Sequence, residues 1–224
     1  IAIKSDREIS VSTSPVMWHY LDSFAYLKKG GIDTVSCQEL TPANIEKAKY
    51  PVVIKYTGPD FIHKSDDQAI FLNVENSSEA KNILADFNKK IIQKKISSAN
   101  TVVYQPQIKA DFELILGLKR DPVFGPIILL GVGGIYTEIY NDVSLEFPDL
   151  DKNRAMEMIK KLKFYPMLVG ARGKKKINFE LLSKTILNFA KLIQKSDDIL
   201  ELDINPLMVD DKKVVAIDVR IFNY

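Results

Sequence analysis

The alternation over Leu200-Glu201-Leu202-Asp203-Ile204-Asn205-Pro206-Leu207, with Val214-Val215-Ala216-Ile217-Asp218 soon after it, constrains this chain more than any other stretch. Extended backbone sends successive side chains to opposite faces, so Glu201, Asp203 and Asn205 share one face while Leu202 and Ile204 share the other. A tight reversal at Asp211-Lys212 pairs Asp210 with Lys213, and counting outward sets Asn205 opposite Asp218. The segment reads as a hairpin with one apolar face and one face of oxygen donors. An ordinary half-buried hairpin shows the same alternation, and Pro206 permits a bulge that would shift the register.

Carboxylates beside an amide carbonyl suit a hard cation such as Mg²⁺, which takes one or two carboxylates and completes its shell with water and substrate phosphate. A nucleotide is the guest this chemistry points to. A second stretch points the same way. Pro51-Val52-Val53-Ile54-Lys55-Tyr56 is a short apolar strand that delivers Lys55 just ahead of a polar loop, Thr57 to Gln68, containing His63-Lys64-Ser65-Asp66. A lysine on a stiff support is a point charge suited to polyphosphate, although strands also commonly end in lysine beside polar loops.

The rest of the chain alternates strands with helices. Ser14-Pro15 reads as the start of a helix with Leu21, Phe24 and Ala25 inward, running to Gly30-Gly31, with His19 as a surface or packing residue. Ile32–Cys37 reads as a strand, and Thr41-Pro42 opens a short helix that ends before Pro51. Asn76-Ser77-Ser78-Glu79 is a capping arrangement ahead of a helix burying Ala80, Ile83, Leu84, Phe87 and Ile91. Strands follow at Thr101–Tyr104, Phe112–Gly117 and Ile127–Leu130. Helices carry the stripes Ala155, Met158, Ile159, Leu162 and Phe179, Leu182, Ile186, Phe189, Ile193. The polar break Gln105-Pro106-Gln107-Ile108 separates two strand-rich halves. The expected division is a tail at 1–13, a first lobe at 14–104, a hinge at 105–108 and a second lobe at 109–224.

Gly131-Val132-Gly133-Gly134 lacks the dinucleotide-binding spacing, since position 136 is Tyr, and it leads into strand-like sequence; its glycines suit either a tight turn or backbone approach to phosphate. Composition sets limits: among 224 residues, 46% hydrophobic and 27% charged, the formal charge of +2 gives no footprint for nucleic acid or a membrane surface. Lys174-Lys175-Lys176 reads as a solvated loop, and Arg172 between glycines as a surface residue or an anion contact. The single cysteine, Cys37, excludes an internal disulfide. With no apolar run near ~20 residues and no signal-peptide core, a cytoplasmic protein is expected.

These motifs occur together, in order, in one family. Pro51–Lys55, Pro59-Asp60-Phe61-Ile62-His63-Lys64-Ser65-Asp66, Glu113–Gly117, Arg120-Asp121-Pro122-Val123-Phe124-Gly125-Pro126, Gly131–Gly134, Gly170–Gly173 and Glu201–Leu207 with Asp218 resemble the ATP-grasp β subunits of ADP-forming acetate (acyl)-CoA ligases. The resemblance runs from about residue 14 to 222 and extends to the succinyl-CoA synthetase β subunit. It implies an α+β ATP-grasp fold of two lobes with nucleotide between them. It also implies interconversion of acyl-CoA, ADP and phosphate with free acid, CoA and ATP through an acyl phosphate and a phosphohistidine. The CoA-binding part lies on an α subunit or a fused α segment in that family, and a CoA-binding α subunit in a hetero-oligomer is the expected partner.

By the same resemblance His63 would relay the phosphoryl group, an imidazole being a fair nucleophile near neutral pH. Lys55, Gln105, Ile108, Glu113, Gly133 and Gly134 would bind ATP or ADP, while Asp203, Asn205 and Asp218 would hold Mg²⁺. The chain departs from the family at Gln68 and Ala69, where two glycines are usual, and at Pro106, where a Glu is usual. A diverged nucleotide-binding or regulatory paralogue, or another ATP-grasp carboxylate ligase working alone, remains as an alternative.

Overall fold

The computed structural model describes residues 15–61, 69–93, 95–133, 142–171, 173 and 175–224. In chain order the first elements are β1 Val16–Met17, α1 Tyr20–Lys29, β2 Gln38–Glu39, a 3-10 turn at Ile45–Lys47, β3 Val52–Thr57, β4 Ile70–Val74, α2 Ser77–Ile92 and β5 Thr101–Pro106. They continue as β6 Phe112–Asp121, β7 Gly125–Val132, β8 Val143–Glu146, α3 Lys152–Lys160, α4 Tyr165–Leu168, α5 Phe179–Ile193, β9 Ile199–Val209, β10 Val214–Ala216 and β11 Val219–Asn223. The strands form two sheets, a four-stranded one in the order β2-β5-β3-β4 and a seven-stranded one in the order β1-β11-β9-β6-β7-β8 with β10 also on β9. All the strand pairs are antiparallel.

Each sheet has its own core. In the small sheet Val52, Ile54 and Tyr56 face α2 and pack with Phe61, Ala69, Ala80 and Phe87. In the large sheet Leu114, Leu116, Leu118, Ile128, Leu130, Leu202, Ile204, Val219 and Ile221 pack beneath Phe24, Leu27, Met158, Ile159, Ile186 and Phe189 of the helices. The period-two pattern of the strands meets the 3.6-period stripes of α3 and α5 on that one face, which leaves Glu201, Asp203 and Asn205 of β9 on the other.

Local chemistry sets the helix starts. Asn76 accepts from the Glu79 N–H at 2.9 Å while the Glu79 carboxylate accepts from the Glu75 N–H at 3.0 Å, so two orphan donors are satisfied. Asp151 and Asn178 cap α3 and α5 in the same manner, accepting from Arg154 and Leu181 N–H.

The N-terminal region departs from the sequence expectation. No helix starts at Pro15: Val16–Met17 is instead a strand pairing with Phe222 and Asn223. Helix α1 begins at Tyr20 after the exposed His19, and its buried residues are Tyr20, Ser23, Phe24 and Leu27, while Ala25 is exposed. A helix packed on β11 must turn a stripe toward that strand, and starting it at Tyr20 rotates the stripe. Ile32–Cys37 is not a strand, for Thr34 makes only an isolated parallel bridge to Ala216. Val16–Met17 and Thr34 thus pair with the large sheet. Among the described residues no helix is long and apolar enough to cross a membrane.

Candidate functional site

Strand β3 is buried along its whole length, and alternation sends Val52, Ile54 and Tyr56 to the α2 side and Val53, Lys55 and Thr57 to the other. Lys55 is therefore a buried charge, which is tolerable only if fully partnered. Its three ammonium donors find three oxygens: Asp218 Oδ2 at 3.1 Å, the Ile217 carbonyl at 2.9 Å and Tyr20 Oη at 3.3 Å. Those partners belong to the large sheet and α1, so one side chain ties the two sheets together. Burial, then the Asp218 charge, pushes the Tyr20 phenol well above its ordinary value, keeping it protonated.

Asp218 is set by the hairpin register. Val209 pairs with Val214, Leu207 with Ala216 and Ile204 with Val219, and the Asn205 N–H donates to the Asp218 carbonyl at 3.2 Å. Asn205 does lie opposite Asp218. Pro206, which has no N–H, accompanies a bulge on the other side of β9, where the register against β6 shifts between Leu114 and Leu116. The outward count along β10 and β11 is untouched.

The third candidate cation ligand, Asp203, is drawn to Arg220, directly across the pair, with an N–O distance of 3.0 Å. Burial raises the Asp203 carboxyl above its ordinary value, opposed by Arg220 and reinforced by Asp218 and Glu201. Among the described residues no group of three His, Cys, Asp or Glu gathers to hold a metal ion. What this face offers is the Asp218 carboxylate and the exposed Asn205 amide as a cross-strand pair. That donor set fits Mg²⁺, which needs few protein oxygens when phosphates and water supply the others.

Gln105, from the segment expected as a hinge, approaches the same point. Gln105 is buried beside Val53, on the face of the small sheet that carries Lys55, and its amide donates to the Ile217 carbonyl at 3.3 Å. Its Oε1 is buried without a hydrogen-bond partner. Ile108 packs on the large core, and Glu113 is exposed on β6, opposite Met208. Gly133 N–H donates to the Glu113 carbonyl at 2.8 Å, and a Cβ on Gly133 would meet backbone atoms of Glu113 and Leu114 at 3.2 Å. This glycine answers to close backbone packing between β6 and β7. Gly134, His63, Gln68 and Arg172 lie outside the described residues.

Hydrogen bonds hold the residues just before segment 62–68, which carries His63. Asp60 Oδ2 accepts from the Ser97 N–H and Asn100 Nδ2, each at 2.6 Å, and Asn100 Oδ1 accepts from the Asp60 N–H at 3.2 Å. Gly58 takes φ 127°, and a Cβ there would meet Asn100 Cα at 2.7 Å. At the far end of the loop, Ala69 is fully buried in the small core and its carbonyl accepts from Tyr56 N–H at 2.8 Å. The methyl group that distinguishes this position from glycine fills core space.

Sequence reasoning missed Tyr20, Arg220 and the Ile217 carbonyl. Arg220 was accessible to it, because the same outward count that sets Asn205 opposite Asp218 sets Asp203 opposite Arg220. Tyr20 was hidden by a misplaced helix start.

Comparison with known proteins identifies the family. The ATP-grasp domain family matches residues 27–222. Subunit beta of the ADP-forming acetate–CoA ligase I of Pyrococcus furiosus is 36% identical over 173 residues, covering 76% of this chain and 74% of that protein. The ADP-forming acetate–CoA ligase I of Archaeoglobus fulgidus is 36% identical over 178 residues, covering 78% of this chain but 26% of its own length, so the chain spans about a quarter of that longer relative. Among solved structures, acetyl-coenzyme A synthetase 1 of Ca. Korarchaeum cryptofilum with coenzyme A and Ca-AMPCP superposes with a TM-score of 0.84 at 25% identity, covering 93% of this chain and 94% of that one. A second structure of that protein holds coenzyme A and Mg-AMPPCP, with a phosphohistidine segment pointing towards the nucleotide-binding site; it superposes with a TM-score of 0.79 at 26% identity, covering 93% of each chain. With a family match over most of its length and a β-subunit relative aligned over about three quarters of both chains, this protein belongs to the ATP-grasp domain family, among the β subunits of ADP-forming acetate–CoA ligases.

Proposed function

We propose that this chain is the nucleotide-binding β subunit of an ADP-forming acid–CoA ligase of the acetate–CoA ligase type, working in the cytoplasm with a CoA-binding α subunit. The observation that carries this reading is the meeting of Lys55 from one sheet with Asp218 from the other, beside the hinge residue Gln105. A basic group from one lobe, oxygen donors from the second and a hinge acceptor between them are what a Mg-nucleotide requires. The lobe boundary is proposed at 105–108, running from the end of β5 toward β6.

In the proposed reaction His63 carries the phosphoryl group. An imidazole nitrogen takes it from a donor on the partner subunit and gives it up to a terminal oxygen of ADP, which becomes ATP. Lys55 binds the nucleotide phosphates and orients them. Gln105, with its donor engaged by Ile217, offers its unpartnered oxygen toward the base, flanked by Ile108. Glu113, Gly133 and Gly134 would bind the nucleotide. Asn205 and Asp218 would hold Mg²⁺, with Asp203 keeping Arg220 in place beside them. When bound, the cation would screen the charge of the transferring group.

The reading is tested by His63→Asn in the presence of the α partner. ATP formation from acyl-CoA, ADP and phosphate is expected to be abolished while ADP affinity stays nearly intact, because Asn is of similar size but cannot accept the group. With labelled ATP, wild type should carry acid-labile, alkali-stable label that the variant lacks. Near-normal turnover by the variant removes His63 from the mechanism.

A further inference from the structure

Resting on the reading that nucleotide binds between the sheets, we propose that Lys55 makes the divalent-cation site conditional on nucleotide: its ammonium occupies the cation's place against Asp218 until phosphate draws it away.

The geometry is that of a cation held by oxygens. Asp218 Oδ2, the Ile217 carbonyl and Tyr20 Oη surround Nζ at 3.1, 2.9 and 3.3 Å, and the Lys55 and Asp218 side chains are only 5% and 11% exposed. The same carboxylate is the one that faces Asn205 across the hairpin. A hard divalent ion approaching Asp218 alone would have to share an oxygen with a buried ammonium, and like charges in a poorly solvated site repel strongly. Polyphosphate arriving alone would draw Lys55 off and leave Asp218 beside an anion. Either ligand is thus disfavoured without the other, and together they re-pair every charge: Lys55 with phosphate, Asp218 with the cation. The lysine stem is long enough to swing between these partners, as a rigid group would not be. Linkage makes the coupling reciprocal, so the factor by which ADP tightens cation binding equals the factor by which cation tightens ADP binding.

The probe is Mn²⁺, followed by electron paramagnetic resonance on the intact protein with and without ADP, with ADP affinity read by calorimetry. Wild type should bind Mn²⁺ alone weakly and at least about tenfold more tightly with ADP present. Lys55→Met should bind Mn²⁺ alone at least about tenfold more tightly than wild type, with the ADP-dependent gain reduced. Adding Asp218→Asn to that variant should erase the new binding. Lys55→Gln, which keeps a polar end for the Ile217 carbonyl and the Tyr20 hydroxyl, serves as the second variant and should show the same gain. Mn²⁺ affinity in wild type that ignores ADP, or no gain in either lysine variant, overturns the proposal although ADP binds. Failure of every protein to bind ADP, with or without Mn²⁺, overturns the nucleotide site itself and the proposal with it, an outcome distinct from loss of the coupling alone.

Discussion

Asn205 lies directly across the hairpin from Asp218, its N–H donating to the Asp218 carbonyl at 3.2 Å, and the pair register runs unbroken from Val209–Val214 to Glu201–Phe222. A slip of one residue would turn Asp218 into the apolar core and bring a valine or isoleucine to the oxygen face. The apolar residues that alternate with Asp203, Asn205, Asp218 and Arg220 therefore hold the site in register.

Removing the Asp218 carboxylate should act on both ligand binding and folding. Asp218→Asn is expected to weaken Mg-ADP by about tenfold or more, since a hard ion loses a charged ligand. Asp218→Ala should in addition lower stability by about 3 kcal/mol, because it strips a buried ammonium of its counter-charge. Calorimetry with Mg-ADP and urea denaturation measure the two effects. Unchanged affinity together with unchanged metal dependence would remove Asp218 from the site.

Gly133→Ala should destabilise by about 1–3 kcal/mol. The added Cβ would lie 3.2 Å from backbone carbons and a backbone oxygen of Glu113 and Leu114, atoms that cannot turn aside as a side-chain end can. Urea midpoints of the two proteins at constant slope give the number.

Asp60→Ala should loosen the chain just before the segment carrying His63 and slow phosphoryl transfer more than it weakens ADP binding. Its pH signature has a definite sign. The Ser97 N–H and the Asn100 amide hold the Asp60 carboxyl below its ordinary value of 3.8. The folded state thus releases this proton more readily than the unfolded chain. The stability that Asp60 contributes is fully present above the ordinary value and is lost as pH falls through the lowered one. The difference between wild type and variant, followed by denaturation from neutral pH downward, should shrink in that acid window. A difference that stays constant below it would show that the carboxylate charge is not what holds the loop base.

Ala69→Gly, although it restores the residue usual in the family, should cost about 1 kcal/mol in stability and leave turnover no higher. The methyl group is fully buried among the residues of the small core, and glycine also adds freedom to the unfolded chain. A faster enzyme would indicate that this side chain obstructs the phosphate-binding loop.

The amino-acid sequence by itself determined the hairpin and the faces its residues take. Period-two alternation over 200–207 and the short turn at Asp211-Lys212 point to a pairing that keeps Leu202, Ile204, Val219 and Ile221 on one face, and the tertiary structure decided that the Pro206 bulge falls against β6 and leaves that pairing intact. It likewise determined α2, α3 and α5, through the capping arrangement at Asn76 and stripes of buried residues at helical spacing, while the Asn178 cap emerged from the structure. These are local or nearly local physics. Only the tertiary structure decided that Lys55 finds Asp218 and Tyr20, since those partners lie 163 and 35 residues away and belong to a different sheet and a helix. It also decided the fate of Val16–Met17, too short to carry a pattern and made a strand by the open edge of β11. The same holds for the pairing of Asp203 with Arg220, which forms only once β9 and β11 lie side by side. Periodicity tells which face a residue takes. Which buried charge meets which is settled by the cost of leaving either one unpaired, and that cost exists only after the two sheets have closed on each other.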